Sequence, residues 1–199
     1  MNTDFLTPIH TVLEASLDVL LSGSIGSSIQ IYTQKNGFPD LNNIEIAILG
    51  VDEDRNTDDN FGSGKDLHHI RSHFYKLFPG NWNTSIADLG DIKNGASVED
   101  TYFAVTELIK TLLENKIIPV VIGGSQDLTY ANYRAYDTVK PMINIVNVDK
   151  SFDLGDSSKP ITNSSYIGKV ILEKPYNLFN YTALGYQTYF NAQEEIDLM

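Results

Sequence analysis

The chain has 199 residues, 42% hydrophobic and 20% charged, the make-up of one ordinary globular domain able to bury a core without disulfides. It contains no cysteine, which excludes a disulfide framework, a thiolate nucleophile and a Cys-ligated zinc site. A net charge of −12, apolar runs far short of a membrane span and the lack of a secretion-signal pattern predict a cytoplasmic protein with no nucleic-acid and no membrane partner.

Thr7-Pro8, followed by Ile9, Val12, Leu13, Leu17, Leu20 and Leu21, predicts a helix with Thr7 as N-cap, Pro8 at the first helical position and Gly23 at its end. Residues 22–43, rich in Ser, Gly and Asn, read as a loop with one short strand at Ile29–Tyr32. Glu45–Val51 is a buried strand that runs into the polar loop Asp52–Asn60. Lys65–Phe78 carries Leu67, Ile70, Phe74 and Leu77 at helical spacing and stops at Pro79-Gly80.

Ser85–Gly90 reads as a further strand. Ser97 and Asp100 resemble a capping box, with Asp in place of the usual Glu or Gln, and open a helix running to about Asn115. A strand at Ile117–Ile122, a helix at Asp127–Val139 and a strand at Met142–Val148 follow. Strand and helix alternate at least three times, which implies right-handed crossovers and a parallel sheet. Beyond Asp153 the pattern loosens into loop, with strands expected near Lys169–Leu172 and Leu178–Leu184 and an acidic end.

Ligands and catalytic groups gather at the C-terminal ends of strands in an open α/β sheet. Two polar clusters fall there: Ser125-Gln126-Asp127 after Gly123-Gly124, and Asp149-Lys150-Ser151-Phe152-Asp153 after Val148. Other readings of the residues are weaker. Asp52–Asp59 lacks the spacing and the bidentate Glu of an EF-hand and reads as a solvated acidic loop. Gly123-Gly124 lacks the Gly-Lys-Ser/Thr of a phosphate loop, and Asp127 would cap the helix and repel an anion. No Gly-x-Ser-x-Gly elbow occurs. His69 and His73 have ligand-compatible spacing on a helix, but such pairs are common on surfaces and no acid completes a known pattern. Tyr176, Phe179, Tyr181, Tyr186, Tyr189 and Phe190 are read as packing residues at strand ends rather than as a stacking platform or subunit interface.

The order of segments resembles the arginase/agmatinase/formimidoylglutamase (ureohydrolase) family. The resemblance is carried by Gly50-Val51-Asp52-Glu53-Asp54-Arg55, Gly62-Ser63-Gly64, Ile70-Arg71, Asp88-Leu89-Gly90-Asp91 and Pro119–Gly124. It implies a three-layer α/β/α fold with a mostly parallel sheet, of the arginase-like type, in a single domain over residues 1–199. It also implies two bridged Mn²⁺ ions that make hydroxide for attack on a guanidino or formimino carbon. The family's Gly-Gly-Asp-His-Ser reads Gly123-Gly124-Ser125-Gln126-Asp127 here, with Gln126 in place of the ligand His. Its Asp-Ala-His-x-Asp reads Asp149-Lys150-Ser151-Phe152-Asp153, keeping both Asp and replacing the His by Ser151. Its Ser-x-Asp-x-Asp has no counterpart before Met199, and Ser165–Gly168 lacks the His that follows the second motif.

The vestigial metal positions are therefore Gln126, Asp149, Ser151 and Asp153, with no bound cofactor expected and Lys150 placed to put a cation where metals would sit. The leading expectation is a family member with a degenerate site that binds a small guanidino or formimino ligand without catalysis. The alternatives are an active Mn-dependent hydrolase completed by residues beyond Met199, and a structural module, since the family assembles into homo-oligomers. The chain reads as stopping before the family's last strands, which would leave a free sheet edge.

Overall fold

Ile46-Ala47-Ile48-Leu49-Gly50-Val51 is apolar on both sides, the pattern of a strand with a neighbour on each edge and a layer on each face. The computed structural model, which describes residues 2–139 and 142–199, places it at the centre of a mostly parallel sheet. In chain order the elements are β1 (Leu6–Thr7), α1 (Thr11–Ser16), α2 (Ile25–Ser28), β2 (Gln30–Ile31), β3 (Ile46–Val51), α3 (Leu67–Phe74) and β4 (Ile86–Ile92). Then come α4 (Val98–Glu114), β5 (Ile118–Gly123), α5 (Leu128–Arg134), β6 (Ile143–Val148), α6 (Tyr166–Leu172), β7 (Leu178–Leu184) and α7 (Gln193–Leu198).

β3 pairs in parallel with β4 on one edge and with β5 on the other, in register from Ile46↔Ile118 to Val51↔Gly123. β2 adds to β4 in parallel, and β1 adds to it antiparallel. Ala47, Leu49 and Val51 point to one face, where they meet Val105, Leu108, Ile109 and Leu112 of α4 and Leu128 and Ala131 of α5. α4 forms as its sequence predicts. Ser97 and Asp100 close a reciprocal capping box, and the apolar residues recur at intervals of three and four.

The opposite face carries α3, held there by one buried cation. Arg71 donates from Nε to Asp88 Oδ2 at 2.7 Å, from Nη2 to Asp88 Oδ1 at 3.0 Å and to Gly90 O at 2.9 Å, and from Nη1 to Asp91 Oδ1 at 2.5 Å. Tyr75 Oη donates to Asp88 Oδ2 at 2.8 Å. Burial pulls the guanidinium towards neutrality, and the two carboxylates more than reverse it, so the charge is secure. Gly50 lies under this cluster, where a Cβ would come within 2.0 Å of Asp91 Oδ1 and 2.9 Å of Arg71 Nη1. Gly50, Arg71 and Asp88–Asp91, three of the matched segments, thus form one structural unit.

The strands do not all join one sheet. Among the described residues, β6 pairs in parallel with β7 alone, and β5 has no partner on its far edge. Tyr181 and Ala183 on one face of β6–β7 pack on Phe152, Leu154, Tyr166 and Ile167. The other face is bare: Val146 is 62% and Val148 77% exposed, and Ile118 on β5 is 60% exposed. The second helical layer, α1 with α3, therefore covers only part of the three-layer plan.

Several local expectations are corrected. Thr7 caps no helix and Pro8 starts none; Leu6 and Thr7 pair with Ile92 and Asp91, and Thr7 Oγ1 donates to Asp91 O at 3.2 Å. Satisfying the edge of β4 outweighs the local capping preference. His10 caps α1 instead, its Nδ1 accepting from Val12 N. Lys169–Leu172 belongs to a helix, not a strand, because Tyr166, Ile167 and Val170 fall on one helical face that is buried. α5 ends at Arg134, short of Val139.

Arg71→Ala leaves two carboxylates facing each other without their cation. It is expected to lower unfolding free energy by about 3–5 kcal/mol, against less than about 0.5 kcal/mol for the exposed change Val146→Lys. Urea denaturation of the two variants measures both.

Candidate functional site

Beyond β5 the chain turns sharply at Gly124, which lies so close to the loop after β3 that a Cβ would sit 2.0 Å from Glu53 O. Ser125 N donates to that same oxygen at 2.9 Å. Ser125 Oγ and Tyr102 Oη both donate to the Asp127 carboxylate, which is fully buried. Burial raises its pKa against the pull of those two hydroxyls. Asp127 therefore occupies the N-cap position of α5 without bonding the helix amides, contrary to its expected capping role. Ser125 and Asp127 are spent on holding the turn, and Gln126 alone of the three lines the adjoining cleft.

Gln126 Nε2 donates to Asp149 Oδ2, which joins the end of β5 to the end of β6. The other oxygen of Asp149 accepts from Lys150 N at 2.5 Å and, more weakly, from Ser151 N at 3.4 Å, so the side chain also caps the turn that follows β6. Lys150 does not project a cation at these carboxylates. Its ammonium lies 4.7 Å from the centre of the Phe190 ring, a cation–π contact.

Ser151 Oγ donates to Asp153 Oδ1 at 2.7 Å. Asp153 has φ 55° and is only 4% exposed, and its Oδ2 is buried with no hydrogen-bond partner. The Tyr166 hydroxyl is a neighbour that does not meet hydrogen-bond geometry with that oxygen. Burial pushes the Asp153 carboxyl up to about 6; the Ser151 bond works against this and the nearby Asp149 charge adds to it.

These residues line an open cleft of about 1080 Å³. Its wall carries Asp58, Asp59, Asp149, Asp153, Asp156, Glu194 and Glu195 against Lys150 as the basic residue, so its field favours a cation. Asp58 is brought to the rim by Asn163 and Ser164, which bond its amide at 2.8 Å and its carboxylate at 2.5 Å. Asp156, Asn163, Ser164 and the two glutamates of α7 were not legible as site residues, because nothing in the loop after Asp153 marks which parts fold back. None of the four histidines lines the cleft.

The acidic loop after β3 is not merely solvated. Glu53 is completely buried and accepts from Arg55 Nε at 2.9 Å, Arg55 Nη2 at 2.5 Å and Thr101 Oγ1 at 2.9 Å. Burial alone would raise its pKa, and these bonds bring it below the ordinary value. The late aromatics also differ from expectation: Tyr181 packs inward, whereas Tyr176, Phe179, Tyr186, Tyr189 and Phe190 are exposed. Tyr186 still stacks on Phe152, with ring centres 4.9 Å apart, and Phe190 faces the Lys150 ammonium.

Among the described residues, no group of three or more His, Cys, Asp or Glu side chains is placed to hold a metal ion. Of the four positions Gln126, Asp149, Ser151 and Asp153, the structure brings Gln126 to Asp149 and Ser151 to Asp153 as two hydrogen-bonded pairs. No helix among the described residues is long and apolar enough to cross a membrane.

A model of the Arginase family matches residues 44–199. The formimidoylglutamase of Macrococcus caseolyticus is 31% identical over 157 residues, covering 75% of this chain and 49% of that protein. The formimidoylglutamase of Streptococcus gordonii is 27% identical over 164 residues, covering 74% and 48%. The chain thus spans about half the length of the curated relatives it matches. Among solved structures, Trypanosoma cruzi formiminoglutamase with Mn²⁺ superposes with a TM-score of 0.71 at 18% identity, over 80% of this chain and 58% of that one. The formimidoylglutamase of Bacillus subtilis superposes with the same TM-score at 15% identity, over 86% and 59%. These structural matches establish the arginase-like α/β fold.

Asp153 sets a pH dependence whose sign follows from its raised pKa. The folded chain binds this proton up to about pH 6 and the unfolded chain only up to about pH 4. Stability contributed by the site is therefore full below the lower value and falls as pH rises through the interval. Asp153→Asn is expected to flatten that segment of the stability curve and to raise the urea midpoint at pH 7. An unchanged curve would remove Asp153 as its source.

Proposed function

The chain belongs to the arginase family, and on that premise we propose that residues 1–199 form a non-catalytic family domain that binds a small guanidino or formimino cation in its acidic cleft. The observation that carries this reading is the pairing of Gln126 with Asp149 and of Ser151 with Asp153. In a metal site those carboxylate oxygens would face ions. Here three of the four accept from protein donors, and the fourth, Asp153 Oδ2, lies buried without a partner in a carboxyl whose pKa burial raises to about 6.

The donor set does not fit a pair of manganese ions. Only two of the four positions are carboxylates; the others, an amide and a hydroxyl, are neutral, and the carboxylate oxygens already accept from protein donors. No hydrolytic step is assigned to the cleft. What its residues offer is charge and hydrogen-bond acceptors: the carboxylates of Asp58, Asp59, Asp149, Glu194 and Glu195 suit the planar N–H fork of a guanidinium or amidinium.

A second reading is favoured by one specific pair of facts. Asp149 and Asp153 are both retained, and the chain spans about half of its curated relatives. A longer polypeptide containing residues 1–199 would then be a Mn-dependent hydrolase of guanidino or formimino C–N bonds. The edges of β5 and β6 that are unpaired among the described residues, next to the cleft, support that reading because they leave room for further strands.

Calorimetry with agmatine, together with an assay in Mn²⁺ for the urea that hydrolysis of its guanidino group would release, separates the two. The expected result for residues 1–199 is binding without turnover, with Asp149→Ala weakening agmatine by about tenfold. Mn²⁺-dependent turnover by this chain would overturn the proposal. Turnover confined to a longer polypeptide would establish the second reading.

A further inference from the structure

All four histidines gather on α3 and at the start of α1, in a region the cleft does not use. His10 is committed to capping α1, and its ring lies 5.6 Å from that of His68. His69 and His73 differ. They stand one helical turn apart on the exposed side of α3, with ring centres 4.8 Å apart and planes at 77°. Their Nε2 atoms are 3.3 Å from each other.

That separation has a specific meaning for a metal ion. Zinc bound by imidazole at about 2.0–2.1 Å in a tetrahedron places any two ligand nitrogens about 3.3–3.4 Å apart. Adjacent ligands of a six-coordinate ion with the same bond length would be only about 2.9–3.0 Å apart. We propose that His69 and His73 form a surface site for one Zn²⁺ ion, held by the two Nε2 atoms with water in the remaining positions.

Two further features favour a cation there. His73 lies in the last turn of α3, where unpaired carbonyls give the helix end a partial negative charge. The chain as a whole carries a net charge of −12, which raises the local concentration of divalent ions. Both rings are exposed, so no packing has to move and water can complete the coordination.

Without metal, the short contact requires one ring to donate from Nε2 and the other to accept. Zinc needs both Nε2 lone pairs. The donor ring must therefore shift its proton from Nε2 to Nδ1 through solvent, with no net proton released. This tautomer change is a signature that a simple imidazole–imidazole hydrogen bond does not give.

The test is titration of tag-free protein with ZnCl₂, followed by calorimetry and by ¹⁵N NMR of the imidazoles. One ion per chain is expected, with both rings as Nδ1–H tautomers in the bound state. His69→Ala and His73→Ala should each weaken binding by at least about tenfold, and His68→Ala should bind as the parent does. The absence of binding, or binding that survives His69→Ala and His73→Ala together, would overturn the site. Since α3 lies apart from the cleft, agmatine binding measured on the same variants keeps this proposal's failure distinct from that of the cleft.

Discussion

A guanidinium with 1% of its side chain exposed organises this molecule. Arg71 ties α3 to the central part of β4 through Asp88, to its end through Asp91 and to the intervening backbone through Gly90. Removing these charges from water is costly, and the cost is offset only because every donor direction in use finds a partner and Tyr75 supports the carboxylate from a third side. The demand for space propagates to Gly50, the one position of β3 that must lack a side chain for the cluster to close. A strand, a helix and the neighbouring strand are thereby fixed to one another before any ligand is considered.

The cleft lies at the other extreme of polar satisfaction. Around Arg71 one cation is shared by two carboxylates. Around Asp149 and Asp153 the balance is struck by neutral groups, an amide and a hydroxyl, so the negative charge is localised but not cancelled. Glu53, one loop away, shows what full compensation looks like: an arginine and a threonine bring its pKa below the usual value despite complete burial. Asp153 lacks a cation and moves in the opposite direction. The same residue type of chemistry thus yields a structural anchor or a proton-holding pocket wall according to whether a positive partner is present.

Much of the first sheet was legible in the sequence, because its strands announce themselves by continuous apolar runs and α4 by a capping box with a clean apolar period. The positions of Gln126, Asp149, Ser151 and Asp153 at strand ends were legible for the same reason. What escaped was decided by distant partners. Thr7 gives up a capping role because β4 has an edge to satisfy, and residues 169–172 become helical because Tyr166 and Ile167 are buried against Phe152 and Leu154. The acidic residues of α7 reach the cleft only through folding back of a segment with no periodic signal, one link being Gly155 N to Glu195 Oε1 at 3.2 Å.

The division of the strands into two sheets has a mechanical consequence. Among the described residues no ladder of backbone hydrogen bonds runs from β5 to β6, so the two halves are joined by helix contacts and scattered side chains, including α5 against α6, Asp58 with Ser164, and Gln126 with Asp149. Such a joint resembles a book whose spine is the α5–α6 layer and whose pages are the two sheets. Separating the halves would disrupt neither ladder but would break the side-chain bonds between them, among them Ser164 Oγ to Asp58 Oδ2 and Tyr130 Oη to Glu173 Oε2. The acidic cleft lies on that seam. There Gln126 and Asp149 join the end of one sheet to the end of the other.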